Sequence, residues 1–220
     1  MHNLFGQNSP VIRWLNLIGK IVILSTLWLI CCIPIITIGA STTALYRVSM
    51  KLAGQKDDIS VFHDFLQAFR ANFKPATIVW LILLIPTLLI LLNLVLLLLG
   101  ELGTTMFAYL VCLIPVPPLL FILAYVFAYI ATFEDRAMVT ITNSAILSIS
   151  NFPKSLLMVA INLIPLVVFL ISADVFLRLL FIWLLLVPGL IAYINSKLIL
   201  RAFQPYLLKK SKAAEKSLTP

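Results

Sequence analysis

Five long runs of nearly uninterrupted apolar residues, among them IVWLILLIPTLLILLNLVLLLL from Ile78 to Leu99, constrain this chain more than anything else in it. A helix needs about 20 apolar residues to cross roughly 30 Å of hydrocarbon, and it survives there because it satisfies its own backbone polar groups. The expectation is an all-α integral membrane bundle of about five transmembrane helices with short interfacial amphipathic helices. Charged residues make up 11% of the chain against about a quarter of an ordinary soluble domain, while 62% is apolar, which excludes a soluble fold. The formal charge of +8 falls beside the apolar runs rather than along one exposed motif. That pattern points to anionic lipid headgroups and away from nucleic acid.

Ser9 and Pro10 read as an N-cap and first helical position, opening a helix toward Pro34. Arg13, Asn16 and Lys20 form a polar stripe along it, so the crossing part is placed at about Ile21 to Ile38, uncleaved despite the signal-like apolar run. Gly39 to Ala53 is expected to be a short amphipathic helix at the interface, with Leu45, Val48 and Leu52 on one side and Arg47 and Lys51 on another. Asp57 and Asp58 mark a turn, after which Ser60 can cap a helix whose Phe62, Phe65, Leu66, Phe69 and Phe73 share one face. That helix is expected to lie in the membrane surface, or else to pack on the protein's own loops. Pro75 then opens a second span, Ala76 to Leu99, followed by a tight connection from Gly100 to Thr104.

The third span, about Thr105 to Thr132, contains Pro115, Pro117 and Pro118 and must be kinked or partly unwound. Such a break either lines a transport path or bends the helix to fit its neighbours. Glu134, Asp135 and Arg136 end it, and a polar stretch to Lys154 is expected to be interfacial. Ser155 to Ile171 and Val175 to Tyr193 form a hairpin of two spans, with Asp174 capping the second and meeting Arg178. One domain, residues 1–203, is expected, followed by a flexible basic tail, residues 204–220, bearing Lys209, Lys210, Lys212 and Lys216. The tail is either an anchor on anionic lipid or a solvated end. Lys and Arg crowd the connection from Gly39 to Pro75 and the C-terminal region, so these are expected in the cytoplasm and the N-terminus outside. In a six-span alternative Gly39 to Ala53 also crosses.

Chemistry-bearing patterns are scarce. His2 and His63 stand far apart, Cys31, Cys32 and Cys112 sit in apolar runs as small hydrophobes, and no cofactor or metal spacing occurs. Glu134 and Asp135 are adjacent, so on a helix their side chains diverge by about 100°, and pairing with Arg136 or a loop cap is the simple reading. Asn93, Asn162 and Asn195 lie inside spans, where interhelical hydrogen bonds account for them. The spans place no Asp, Glu, Lys or Arg near a bilayer centre, which argues against ion-coupled transport, and nothing suggests an enzyme.

Three stretches carry a family resemblance: PIITIGASTTALY from Pro34 to Tyr46, FLQAFRANFKPATIVWL from Phe65 to Leu81, and AYINSKLILRAF from Ala192 to Phe203. Through them the chain resembles the YesL family, small bacterial membrane proteins of unknown function. The resemblance implies a multi-pass protein of the bacterial cell membrane in the context of carbohydrate uptake, with no catalytic residues to carry over. The expected role is an accessory or regulatory protein that contacts sugar importer subunits; the alternative is a small permease or channel acting as a homo-oligomer. The candidate interaction surface comprises Gly39, Ala40, Ser41, Thr42 and Thr43, a small-residue segment that another helix could approach closely, with Phe62, Phe65, Phe69 and Phe73. Plain internal packing is the other reading of that segment.

Overall fold

The computed structural model describes residues 10–54, 59–99, 110 and 113–218. These form an all-α bundle: α1 (Pro10–Cys31), a 3-10 turn (Ile35–Thr37), α2 (Ile38–Ala53), α3 (Val61–Leu98), α4 (Val116–Ile130), α5 (Ala137–Ser150), α6 (Phe152–Ile171), α7 (Ala173–Arg178), α8 (Leu180–Leu185) and α9 (Val187–Leu218). Among the described residues, three helices are long and apolar enough to cross a membrane, over Val11–Cys31, Val61–Leu97 and Phe152–Ile171. Their surfaces carry exposed Leu, Ile, Val and Phe, as lipid contact requires. The Ser9 cap, the Asp57 turn, the Gly100 to Thr104 connection, the start of the third span and Cys112 lie outside the described residues.

The core is organised around α2, which was expected at the interface and instead sits at the centre. Ala40, Ser41, Thr43, Ala44 and Val48 are fully enclosed, with α3 and α9 as the main neighbours. The amphipathic pattern was real, but its charged positions are only Arg47 and Lys51, while small residues such as Gly39, Ala40, Ser41, Thr43 and Ala44 and the apolar Leu45, Val48 and Leu52 are all buried. A Cβ on Gly39 would stand 2.5 Å from Trp80 Cβ and 2.6 Å from the Ala76 carbonyl, so α3 crosses α2 at backbone distance. At the other end of α2, Lys51 Nζ meets Asp64 Oδ1 at 2.7 Å.

Those two contacts lie on either side of Pro75. The helix expected in the membrane surface and the second span are one unbroken helix, α3, whose 38 residues extend about 57 Å. Proline removes one ladder hydrogen bond, and here α2 packs along both halves and holds them together. The buried side of α3 reads Val61, Phe65, Ala68, Ala76, Val79 and Leu83 at helical spacing. Ser60 stands at the N-cap, without a side-chain bond.

The crossing segment expected to reach Ile38 stops at Cys31. In the turn that follows, Ile33, Ile35 and Ile36 are exposed, while the backbone finds donors: the Thr37 hydroxyl gives to the Cys31 carbonyl at 2.6 Å and Trp80 Nε1 to the Ile35 carbonyl at 2.9 Å. An apolar turn with satisfied carbonyls is suited to a hydrocarbon or interfacial setting. Cys31 and Cys32 are half-buried and free.

The proline-rich third span is interrupted as expected, by a turn at Ile114 and Pro115 ahead of α4. The last span, expected as one helix from Val175 to Tyr193, is broken into α7, α8 and the start of α9. Pro188 explains the break before α9, since it fits a helix's first turn and not its interior; nothing in the local sequence explains the one at Leu179. Ser172, not Asp174, supplies the cap, accepting from the Val175 N–H at 3.5 Å, while Asp174 and Arg178 pair at 2.9 Å. Gly189 permits a second close crossing: its N–H donates to Ser25 Oγ at 2.9 Å, and an added Cβ would lie 2.5 Å from that oxygen. The tail expected to be flexible continues α9 to Leu218, in keeping with the helix-forming Leu, Lys, Ala and Glu it contains.

Gly39→Val is expected to cost about 1–3 kcal/mol through overpacking against the α3 backbone. It should appear as a lowered Tm of the detergent-purified protein. Gly19→Ala, at a position with nothing within 4 Å, should leave Tm unchanged or raise it.

Candidate functional site

Polar side chains converge at one end of the bundle. Arg47 and Lys51, one turn apart on α2, face Asp64, Gln67 and Asn72 of α3, and the segment from Ile130 to Arg136 closes the third side. The cavity between them measures about 760 Å³. Its floor is made of small or cyclic residues, Ala68, Ala71 and Pro75, so the space follows from missing side-chain volume.

Its walls are fixed by hydrogen bonds to three elements. Lys51 is tied to Asp64, and both side chains are largely shielded at 30% and 14% exposure, which strengthens the pair over a surface one. Arg47 Nη1 donates to the Ala131 carbonyl at 2.6 Å, one of the orphan acceptors at the end of α4. The Tyr129 hydroxyl donates to Asp135 Oδ2 at 2.6 Å and accepts from Asn143 Nδ2 at 2.8 Å. Tilted and edge contacts among Tyr129, Phe133 and Phe203 hold this corner.

The adjacent acidic residues therefore part company. Asp135 turns to Tyr129 rather than to Arg136, while the side chains of Glu134 and Arg136 are exposed and make no hydrogen bond or ion pair among the described residues. Also among the described residues, no group of three His, Cys, Asp or Glu is placed to hold a metal ion. The chemistry the arrangement supports is recognition of a charged or polar group by fixed hydrogen bonds.

Of the surface read from sequence, Gly39, Ala40, Ser41 and Thr43 are filled by the chain's own helices. Ser41 donates to the Trp28 carbonyl at 3.0 Å, Thr43 to the Gly39 carbonyl at 2.9 Å, and Thr42 accepts from Trp28 Nε1 at 3.2 Å. Between the two readings of that segment, the structure takes internal packing, with α3 as the helix that approaches. Phe65 is fully buried and Phe69 partly, so they are core; Phe62 and Phe73 remain exposed at 58% and 40%. The asparagines divide likewise. Asn195 bonds Tyr46 and Asn162 across helices, at 3.4 and 3.3 Å, whereas Asn93 returns to the Leu89 carbonyl of its own helix.

The cavity was not foreseen from sequence. Arg47 and Lys51 read there as the polar side of an interfacial helix, because the carbonyl that holds Arg47 lies 84 residues away. The available signal was two basic residues one turn apart on a helix whose other residues carry no charge.

Residues 21–94 match the family described as "Protein of unknown function, DUF624". The YesL family is a DUF624 family of unknown function, so the resemblance read from sequence stands. No curated protein and no solved structure matches the chain. The DUF624 match takes in α2 and most of α3, hence two walls of the cavity, and leaves the Ile130 to Arg136 wall outside it.

A double-mutant cycle on Lys51→Met and Asp64→Asn is expected to show a favourable coupling of about 1 kcal/mol. Each single change should lower stability more than the pair does, read from Tm in detergent.

Proposed function

We propose that this DUF624 protein is an accessory or regulatory component of carbohydrate uptake in the bacterial cell membrane, without catalysis of its own. It meets its partner, an importer subunit, at the polar end of α3. The observation that carries the reading is the exposure of Phe62 and Phe73 there. They are eleven residues apart, about 20° on a helical wheel, and form one stripe among His63, Gln67, Arg70 and Lys74. Two large rings exposed together amid charged neighbours are the usual composition of a contact surface. The carbohydrate context is supported by the YesL resemblance alone. The charge distribution supports a cytoplasmic location for this end and for the C-terminus, by the positive-inside rule.

A small permease acting as a homo-oligomer is the second reading, favoured by the breaks at Pro115 and between α7, α8 and α9, since unwound membrane helices can line solute paths. Its interior polar groups, among the described residues, are hydroxyls and an asparagine rather than ionisable side chains. A coupled carrier ordinarily needs the latter.

Crosslinking in native membranes followed by affinity purification and mass spectrometry distinguishes the two. Importer subunits should be recovered with the wild type and reduced at least about tenfold by Phe62→Ser with Phe73→Ser, taking hot-spot losses of 1–2 kcal/mol each. Tm should change little, because both rings are exposed. Recovery of the protein alone, together with solute flux in liposomes, would replace the accessory reading with the permease.

A further inference from the structure

The cavity lies where two helices pass from apolar to polar sequence. Along α3, its lining residues Asp64, Gln67 and Asn72 end at Pro75, after which Ile78 and Leu81 are exposed apolar residues at 43% and 42%. Along the opposite wall α4 ends at Ile130, and the polar segment with Glu134, Asp135 and Arg136 follows. Hydropathy therefore sets the cavity at headgroup depth, with a hydrocarbon-facing surface next to it on α3.

Its charges do not all cancel internally. Lys51 and Asp64 neutralise each other, and Asp135 gives one oxygen to Tyr129. Arg47 is held by a neutral carbonyl, a bond that fixes the guanidinium while leaving further N–H donors of its five free. Arg136 and Glu134 have no ion-pair partner among the described residues. What remains in the lining are two cationic groups, Arg47 and Arg136, and two anionic ones, Glu134 and the second oxygen of Asp135.

We propose that this cavity binds the headgroup of an amine-bearing zwitterionic phospholipid of the phosphatidylethanolamine type. The phosphate meets Arg47 and Arg136, whose guanidinium groups suit two-point contact with phosphate oxygens. The ammonium donates to Glu134 and Asp135. The acyl chains follow the exposed apolar side of α3 at Ile78 and Leu81. A purely anionic headgroup leaves Glu134 and Asp135 facing like charge, and a quaternary ammonium has no N–H to give them. The inference is independent of the partner proposed for Phe62 and Phe73, because it concerns the isolated protein.

The test is thermal stability and native mass spectrometry of the detergent-purified full chain, titrated with phosphatidylethanolamine, phosphatidylcholine, phosphatidylglycerol and water-soluble glycerophosphoethanolamine. Phosphatidylethanolamine should raise Tm and be retained roughly tenfold more strongly than the other two lipids, as expected for a charge-assisted hydrogen bond gained or lost. Glu134→Gln should remove the preference over phosphatidylcholine, and Arg136→Gln should weaken all phospholipids. Both side chains are exposed and unbonded, so the lipid-free Tm should be unchanged. Equal responses to the three lipids, or full selectivity retained in both variants, would overturn the proposal. An equal response to glycerophosphoethanolamine would overturn the lipid assignment in favour of a soluble phospho-amine. Neither result bears on importer capture, which is read from native membranes through different residues.

Discussion

Contact between α2 and α3 at backbone distance is the constraint on which the other parts of this protein depend. Because Gly39 has no side chain, α3 approaches to where a Cβ would touch Trp80 and the Ala76 carbonyl. With the helices that close at one end, Lys51 reaches Asp64 at the other, and the pair of contacts bridges Pro75. A 38-residue helix with two internal prolines is thereby held against a partner along much of its polar half. In hydrocarbon or at its edge there is no hydrophobic gain from bringing apolar helices together, so close packing and shielded polar bonds carry the association.

The polar bonds fall into two groups with different consequences. Many hydroxyls turn back to their own helix, as Thr26 does to Val22, Thr43 to Gly39, Thr87 to Leu83 and Ser144 to Thr140, and thereby become tolerable in an apolar setting. A smaller group joins helices: Trp28 with Thr42, Ser25 with Gly189, Asn195 with Tyr46 and Asn162, and Ser155 with Tyr125. Two of these fix α1, at its α2 and α9 contacts, and another fixes α9 on α2. They surround the central helix and account for its position.

Charge is concentrated at the end of the bundle where Arg47, Lys51, Asp64, Glu134, Asp135 and Arg136 meet, while the long apolar helices present Leu and Ile outward. This separation puts the groups able to form charge-assisted hydrogen bonds at one end of the bundle and leaves the long helices apolar. The exposed rings of Phe62 and Phe73 and the cavity are distinct features of the same end. One is suited to a protein surface and the other to a small zwitterionic group.

The sequence by itself determined the membrane class, the all-α character, the proline break before α4 and the close-packing character of Gly39 to Thr43, because each depends on local composition or spacing. It also carried the family resemblance, two of whose three motifs fall inside the residues 21–94 that match DUF624. What only the tertiary structure decided was which helix is central, whether Pro75 divides or joins, and where Arg47, Lys51 and Asp135 turn. Hydropathy describes a helix's preference for lipid or water but not its neighbour, and an amphipathic helix with two basic residues fits an interface as well as an interior. The choice rested on the Ala131 carbonyl, 84 residues from Arg47 in the chain, supplying an acceptor where the guanidinium arrives, and on the nearby Tyr129 hydroxyl supplying a donor to Asp135.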